Sequence, residues 1–330
     1  MYKLVQDNKS VEKGKSVATV LTLIKSKEMC ILFVYTNPNP KSGTFRLIII
    51  ANRDEYYARP AQQLTRVEDV IGGRDLEPKR AGGMWLGVSL KRTEDFKFRF
   101  GALLNITGDH KQGLKGRGFI VVNYLESETT ADKYMNSLTS SEDVLNGYNF
   151  VAVEVSQDKI GTHYYSNISK SYTRCDDVPV LGFGNTLFDI PLQKVVNGCN
   201  KFNDVINEFN DVNKKDVLLE KLLQLLKCNE RHLPDAELEK RQPMWCTDLS
   251  CIFVEIDHAG YGSRTHSIIF IDYDWNMEFY EDTMKEPIDI ANSIIFIDYD
   301  WNMEFYEDTM KEPIDIANPT WLRNVIKASL

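Results

Sequence analysis

The sequence predicts an α+β protein in which antiparallel sheets are covered by helices. Strand-like segments dominate both ends of the chain, helical periodicity dominates the middle, and short turns join successive strands. No phosphate-loop or G-x-G-x-x-G motif follows a strand, which argues against a dinucleotide-binding fold. With 330 residues, of which 43% are hydrophobic, the chain is long enough to bury a large core.

The first half of the chain predicts four strands. The apolar runs "ILFVY" (31–35) and "FRLIII" (45–50) are joined by a connection that contains Asn-Pro-Asn-Pro. Because this connection is short and rich in turn residues, we expect the two strands to pair antiparallel. The segments "MWLGVSL" (84–90) and "FGALLNI" (100–106) follow, with the charged turn 91–97 between them.

The middle of the chain predicts a hairpin and three helices. The segments "YNFVAVEV" (148–155) and "KIGTHYYSN" (159–167) alternate around a Ser-Gln-Asp turn, as in an antiparallel hairpin. Apolar residues at helical spacing predict a helix over 191–209, and shorter patterns predict helices at 118–137 and near 213–227. The tail returns to strands, which we expect at 251–256, 265–274 and 277–281.

Composition excludes several classes of function. The net charge is −9 and no block of Lys or Arg stands out, so a nucleic-acid-binding surface is not indicated. The longest apolar runs fall far short of the roughly 20 residues of a membrane-spanning helix, although peripheral association with an organelle is compatible with the sequence. The six cysteines form no CxxC pair and no zinc-spaced cluster, so we predict no metal site and a reducing compartment.

A 26-residue segment occurs twice without a single difference. "SIIFIDYDWNMEFYEDTMKEPIDIAN" occupies 267–292 and again 293–318. Solenoid repeats diverge and need several units, so this tandem is typical of a recent duplication or a gene-model error. Only one copy can occupy the native position, and we expect the first to extend a strand over 267–273 that pairs with 277–281. The second is expected to form a surplus hairpin or edge, where identical copies could exchange register.

The first 28 residues are predicted to lie outside the fold. They are rich in Lys but contain no Arg, and their acidic residues do not fit a mitochondrial presequence. We interpret 1–28 as an extension that is disordered or spurious, with Met29 as an alternative start.

Functional groups are concentrated in "RLIIIANRDEYYARPA" (46–61), directly after a core strand. Four consecutive residues supply an amide, a cation and two carboxylates, and they form a candidate binding or catalytic cluster: Asn52, Arg53, Asp54 and Glu55. Arg53 could hold a carboxylate or phosphate through two hydrogen bonds. The structural alternative is an ion-pair network that ties the strand end to the 72–75 loop through Arg74 and Asp75.

Eight short motifs occur in order along the chain. They are "MCI" (29–31), "ANRDE" (51–55) with "RP" (59–60), "GGRD" (72–75), "GGMWLG" (82–87), "LLNIT" (103–107), "GRG" (116–118), "GFGN" (182–185) and "YGSRT" (261–265). Together they resemble the transport and Golgi organisation protein 2 family over residues 29–330, less one repeat copy. The chain departs from that pattern in its extension, in the duplication, and at Met84, where the family usually has Thr.

The resemblance implies a single domain over 29–330 with an N-terminal-nucleophile-hydrolase-like αββα sandwich, two antiparallel sheets flanked by helices. It implies roles in Golgi organisation and protein secretion, in intracellular haem transport, and in acyl-CoA or lipid handling. The implied location is cytoplasmic, with mitochondrial and Golgi association. No agreed reaction and no required cofactor come with the family, and haem enters as a transported ligand.

Cys30 is the candidate catalytic residue. If translation starts at Met29 and this Met is removed, Cys30 gains a free α-amine, whose pKa of about 7.7–8.0 lets it act as base for the thiol. With the extension retained, this chemistry cannot occur. The alternative is a small apolar residue that opens a core strand.

Five further residues are candidates for ligand binding. Asn105 and Asn185 end apolar segments and could donate amide hydrogens to a carbonyl oxygen, or they could cap turns. Arg264 is a pocket cation or a turn residue, and Trp85 belongs to the core or to a pocket wall. Arg59 follows the 52–55 cluster, which we expect to converge with Cys30 on one pocket.

Two functions follow as hypotheses. The preferred one is a non-enzymatic carrier or chaperone that holds an anionic small molecule, haem or an acyl-CoA. The five histidines show no ligand spacing, so the sequence does not identify a haem ligand. The alternative is an amidohydrolase that cleaves amide bonds with Cys30 as nucleophile, and the N-terminal residue of the native protein distinguishes the two.

Overall fold

The fold is described from a computed structural model, over residues 29–108, 111, 113–156, 159–284, 294–297, 303–306 and 321–329. Residues 1–28, for which the sequence predicts an extension, lie outside the described residues. Among the described helices, none combines the length and the apolar character that crossing a bilayer requires.

The described strands, in chain order, are β1 (Cys30–Thr36), β2 (Phe45–Tyr56), β3 (Thr65–Val67), β4 (Val70–Gly72), β5 (Leu86–Ser89), β6 (Phe98–Asn105), β7 (Tyr148–Val155), β8 (Ile160–Ser166), β9 (Ser171–Arg174), β10 (Val180–Phe183), β11 (Glu255–Ile256), β12 (Tyr261–Asp272), β13 (Asn276–Met284), β14 (Ile294–Ile297), β15 (Met303–Tyr306) and β16 (Trp321–Ser329). The α-helices are α1 (Phe119–Glu126), α2 (Ala131–Thr139), α3 (Gln193–Phe209), α4 (Lys215–Leu226), α5 (Ala236–Arg241) and α6 (Cys246–Leu249). Short 3₁₀ turns occupy Val212–Lys214 and Asp257–Ala259.

Two antiparallel sheets form the framework. Sheet 1 has the order β10-β1-β2-β12-β13-β16, with β11 paired to β12, and sheet 2 is a meander of consecutive strands from β3 to β9. In sheet 1, Cys30 lies opposite Arg53 and Thr36 opposite Leu47, which confirms the hairpin predicted from the Asn-Pro-Asn-Pro connection.

Three apolar cores show how the layers are stacked. Helices α3 and α4 cover one face of sheet 1, where Phe33 and Ile50 share a core with Phe202 and Leu222. The opposite face of sheet 1 packs on sheet 2. Helices α1 and α2 cover the outer face of sheet 2, in a core that includes Phe150. The resulting order, helices–sheet–sheet–helices, confirms the predicted α+β sandwich.

The helix predicted over 118–137 is broken. The chain leaves the helical path at 127–130, between α1 and α2. The buried Arg99 explains the break, because its guanidinium donates to the main-chain oxygens of Leu125, Ser127 and Thr129. These carbonyls are therefore bonded to a side chain from sheet 2, which the local sequence does not reveal.

The strand predicted over 251–256 is also largely wrong. Only Glu255–Ile256 forms a strand, because the preceding residues turn to contact β12 through Ser263. The Ser263 hydroxyl accepts the Val254 N–H at 2.9 Å. Elements that the sequence analysis missed are short or lie at an edge: β3, β4, β9, β10, β16, α5 and α6.

The two repeat copies have different surroundings. In the first copy, Ser267 lies opposite Glu281 and Ile271 opposite Met277, the pairing that the sequence predicts. The described strands of the second copy, β14 and β15, pair with each other in a separate two-stranded sheet. The first copy therefore occupies the position within sheet 1.

Candidate ligand-binding site

A cleft of about 970 Å³, which includes its mouth open to solvent, lies at one end of the two sheets. Sheet 1 contributes Cys30 from β1, Arg53 and Glu55 from β2, and residues from β12 and β13. Sheet 2 contributes Leu103 and Asn105 from β6. Two loops, 73–85 and 116–119, form most of the remaining wall, together with residues of the segment 59–62.

The 52–55 segment belongs to β2 and is not a loop, so its side chains alternate between the two faces of sheet 1. Arg53 lies opposite Cys30 on the face toward sheet 2, whereas Asn52 lies opposite Ile31 on the face toward the helices. From the sequence we expected all four residues in one pocket with Cys30. Strand alternation divides them, and Asn52 does not line the cleft.

Asn52 forms part of a buried hydrogen-bond network on the helix side. Its Nδ2 donates to the main-chain oxygens of Leu226 at 2.8 Å and Ile252 at 3.0 Å. Its Oδ1 lies 2.7 Å from Nδ1 of His266. Burial lowers the pKa of His266 to about 3, so this imidazole is neutral. Asn52 therefore joins the sheet to the helical layer.

Asp54 lies at the border between the two faces. It is among the residues around the cleft, yet its Oδ1 accepts the Ser263 hydroxyl at 2.5 Å on the helix side. Burial raises the pKa of Asp54 to about 7, against the opposing effect of Lys194. Burial also lowers the pKa of Lys194, whose Nζ has no hydrogen-bond partner among the described residues. Asp54 and Lys194 thus form a buried ionisable pair behind the cleft.

Cys30 is held at the start of β1 by its main chain. Its N–H donates to Oδ1 of Asn185 at 2.8 Å, and Nδ2 of Asn185 donates to the Asn105 carbonyl at 2.7 Å. Asn185 therefore bridges the ends of the two sheets. Met29 is fully buried, and its N–H donates to the Tyr261 hydroxyl at 2.7 Å. In this chain the nitrogen of Cys30 is a peptide nitrogen, which cannot act as the base for its own thiol.

Arg59 connects two carboxylates at the side of the cleft. Its Nη1 lies 2.6 Å from Glu55 and its Nη2 lies 2.5 Å from Asp75. The network that the sequence analysis considered as a structural alternative thus exists, but Arg59 forms it in place of Arg74. Arg74 donates instead to the Gly82 carbonyl and to the exposed Glu126.

Arg264 and Arg53 are two cations of the sheet 1 wall. Arg264 is the extra residue of a β-bulge in β12, and its Nη1 donates to the main-chain oxygens of Tyr56 and Arg59. The bulge thus directs the guanidinium to the cleft. Arg53 is 9% exposed, and its Nη2 lies 3.7 Å from Oε2 of Glu55. At this distance the two side chains form an ion pair but no hydrogen bond.

Glu281 of β13 is a buried carboxyl at the cleft. Its Oε1 accepts the Leu64 N–H at 2.8 Å and the Thr283 hydroxyl at 3.1 Å. Burial raises the pKa of Glu281 to about 7, so a large fraction of this group is uncharged near neutral pH. Near neutral pH the cleft therefore carries less negative charge than it would if all its carboxyl groups were ionised.

The structure places eight of the ten predicted site residues around the cleft: Cys30, Arg53, Asp54, Glu55, Arg59, Trp85, Asn105 and Arg264. Asn52 and Asn185 lie behind it as structural hydrogen-bonding residues. The roles assigned to these residues in the sequence analysis remain predictions.

Sequence reasoning missed most of the opposite wall. That wall supplies cations and apolar groups: Arg74 (named only as an ion-pair residue), Lys79, Arg80, Met84, Leu103, Arg117 and Phe119. Gly83 and Gly118 were the available signal, because they allow the two loops to approach each other.

Comparisons with known proteins agree with the motif order. The family model described as Transport and Golgi organisation 2 matches residues 29–286. The chain is 35% identical over 268 residues to Transport and Golgi organization protein 2 of Drosophila melanogaster, which covers 78% of this chain and 92% of the relative. It is 30% identical over 272 residues to the Homo sapiens homolog, an alignment that covers 78% of this chain and 94% of the relative. It is 30% identical over 264 residues to the Mus musculus homolog, with 78% of this chain and 93% of the relative covered.

Proposed function

The chain belongs to the Transport and Golgi organisation 2 family, and we propose that it acts as a non-enzymatic carrier for an anionic, partly apolar small molecule. Haem and acyl-CoA are the two candidate ligands. The proposed location is cytoplasmic, with mitochondrial and Golgi association, and subcellular fractionation with an antibody tests it.

The charge of the cleft carries this proposal. Among the described residues, seven cationic side chains and four carboxyl groups line it. Burial raises the pKa of two of those carboxyl groups, on Asp54 and Glu281, to about 7, and Arg59 pairs with the other two. The lining therefore has an excess of positive charge, and it also offers apolar contacts through Met84 and Trp85. A ligand with an anionic end and an apolar body matches both properties.

Calorimetric titration of the purified protein with haemin and with palmitoyl-CoA tests the carrier function. We expect Arg53→Ala to raise the Kd by about tenfold or more, because a charge-assisted hydrogen bond contributes about 1.5–3 kcal/mol. Arg66→Ala is the matched control, since Arg66 is half exposed and does not line the cleft. If the wild-type protein binds neither ligand, or if Arg53→Ala binds both as well as wild type, the proposal is wrong.

The amidohydrolase is the second candidate, and the position of Cys30 favours it. Cys30 lines the cleft, and its nitrogen is held by Asn185. A protein that begins at Cys30 would place an α-amine at this nitrogen. We therefore propose to release a chain that begins at Cys30 by protease cleavage of a fusion, and to assay it on chromogenic N-acyl amides. If the chain that begins at Cys30 hydrolyses these amides and the same chain with Cys30→Ala does not, the protein is an enzyme. If neither chain hydrolyses them, the carrier function stands alone.

A further inference from the structure

The turn Glu77–Arg80 holds a lysine where glycine is favoured. The Arg80 N–H donates to the Glu77 carbonyl at 2.9 Å, Pro78 is the second residue, and Lys79 is the third with φ of +72°. These are the positions that a type II turn assigns to Pro and to Gly. A side chain in the left-handed region costs free energy that glycine avoids, so the fold alone gives no reason for a lysine here.

The Lys79 side chain is exposed and lines the cleft. Among the described residues it makes no ion pair and no hydrogen bond. Its conformational cost is therefore not offset by a hydrogen bond or an ion pair within the described part of the chain. Lys79 is the residue at positive φ that also lines the cleft, and strained residues at binding sites are a reason to test their side chains for function.

Three more cations share this wall of the cleft with Lys79. Arg74 and Arg80 lie on the same loop, and Arg117 lies on the 116–119 loop. The carboxylate of this wall, on Asp75, is bound to Arg59. By contrast, the wall formed by sheet 1 carries two arginines beside three carboxyl groups, on Asp54, Glu55 and Glu281. Positive charge in the cleft is thus concentrated on the loop side.

The two loops that carry these cations are packed main chain to main chain. A Cβ atom on Gly118 would lie 3.0 Å from the Cα of Gly83, and the Met84 N–H donates to the Gly118 carbonyl at 3.1 Å. A Cβ on Gly116 would lie 3.5 Å from the Cγ of Arg80. The contact at Gly118 is tighter than most real Cβ contacts, so glycine favours this close approach. The approach holds the cations of both loops near one another, as the recognition of a multiply charged anion requires.

We propose that Lys79, Arg74, Arg80 and Arg117, called here the cationic rim, bind the phosphate groups of the ligand. The apolar part of the ligand then lies deeper, against Met84, Trp85 and Leu103. This inference rests on the proposed carrier function and narrows it, because it selects a phosphorylated amphiphile such as an acyl-CoA over a dicarboxylate such as haem.

The variant Lys79→Gly separates binding from folding. Glycine is favoured at φ of +72°, so we expect the thermal midpoint to stay unchanged or to rise. The Kd for palmitoyl-CoA should increase about three- to tenfold, and its salt dependence should become shallower. The Kd for S-palmitoyl-pantetheine, which lacks phosphate, should not change, and adenosine 3′,5′-bisphosphate should compete with palmitoyl-CoA for the wild-type protein.

Lys170→Gly is the matched control. Lys170 also has a positive φ, of 49°, but it lies in the turn between β8 and β9 and does not line the cleft. This variant should have a thermal midpoint equal to or above that of wild type and wild-type affinity for palmitoyl-CoA.

Three results would overturn the cationic rim while leaving the carrier function intact. In the first, Lys79→Gly binds palmitoyl-CoA as well as wild type. In the second, the wild-type protein binds palmitoyl-CoA and S-palmitoyl-pantetheine with equal affinity. In the third, Lys79→Gly loses as much affinity for haemin as for palmitoyl-CoA. If the wild-type protein binds neither palmitoyl-CoA nor haemin, the carrier function itself fails.

Discussion

The two copies of the repeat have the same sequence and different structural roles. The first copy, 267–292, supplies the second half of β12 and all of β13, in the interior of sheet 1. Its Phe279 is fully buried between the sheets, and its Glu281 and Thr283 line the cleft. The described strands of the second copy pair only with each other. Sequence identity therefore does not decide which copy enters the core.

Chain connectivity explains the difference. Residues 261–266 precede the first copy without interruption and pair with β2, where His266 lies opposite Asn52. Ser267 then continues the same strand opposite Ala51, so the pairing with β2 sets the register of the first copy. Deleting either copy gives the same polypeptide, so only substitutions within one copy can test this assignment.

The largest expected effect comes from Phe279→Ala. Removing a fully buried phenyl group leaves a cavity and should lower the free energy of unfolding by about 3–5 kcal/mol. Phe305→Ala, the same change in the second copy, should leave it nearly unchanged, because β15 pairs only with β14 among the described strands. Urea unfolding of both variants measures the difference. If only Phe305→Ala lowers the free energy of unfolding by a large amount, the second copy occupies the core position. If each variant lowers it by only a small amount, the two copies exchange.

Glu281→Gln should change how stability depends on pH. Burial raises the pKa of Glu281 from 4.5 to about 7, so between these values the folded protein holds a proton that the unfolded chain releases. The stability that this group contributes is complete below pH 4.5 and is lost as the pH rises through about 7, a change of up to about 3 kcal/mol.

Urea unfolding at several pH values measures this dependence. In Glu281→Gln the decline between pH 4.5 and 7 should be flatter than in wild type, whereas Glu307→Gln in the second copy should retain the wild-type decline. Equal profiles for wild type and Glu281→Gln would show that this carboxyl is not protonated in the folded protein.

Trp275→Leu should have a moderate effect. The indole lies between two cations, with the Arg46 guanidinium 3.6 Å and the Lys97 ammonium 3.4 Å from the ring centroid. Losing these cation–π contacts should lower the free energy of unfolding by about 1–2 kcal/mol. Trp301→Leu is the control in the second copy and should have no effect. If the two variants unfold at the same urea concentration, the Trp275 contacts do not contribute to stability.

The smallest effect is expected from Asp282→Asn. Arg323 of β16 donates to both carboxylate oxygens of Asp282, at 2.6 and 2.7 Å. Because the Arg323 side chain is 46% exposed, solvent screens the pair, and its loss should cost at most about 1 kcal/mol. Asp308→Asn is the same change in the second copy. The difference in free energy of unfolding between the two variants should shrink in 1 M NaCl. A difference that does not depend on salt would mean that packing, and not charge, holds β16 on β13.

The sequence predicted the parts of the fold that depend on long, regular patterns. The β1–β2 hairpin follows from two apolar runs and a turn, and α3 follows from apolar residues at helical spacing. Strands such as β4 and β10 were missed because three or four residues carry too little pattern. The break between α1 and α2 was missed because Arg99, distant in sequence, binds the carbonyls there.

The candidate site was predicted in part for a similar reason. The 52–55 segment is conspicuous because charged residues directly follow a core strand, and three of its four residues border the cleft. That Asn52 faces the helices could be decided only once the segment was known to continue β2. The cations of the opposite wall lie on loops, where sequence spacing does not fix position.

The repeat separates what the sequence determined from what the tertiary structure decided. In the first copy Ile268 lies opposite Tyr280 and Ile271 opposite Met277. In the second, Ile294 lies opposite Tyr306 and Ile297 opposite Met303, which is the same register. The identical sequence pattern thus determined the strand pairing in both copies, since this pairing is local. Only the first copy is continuous with a strand that pairs with β2, and that long-range pairing decided which hairpin became part of the sheet and its cleft.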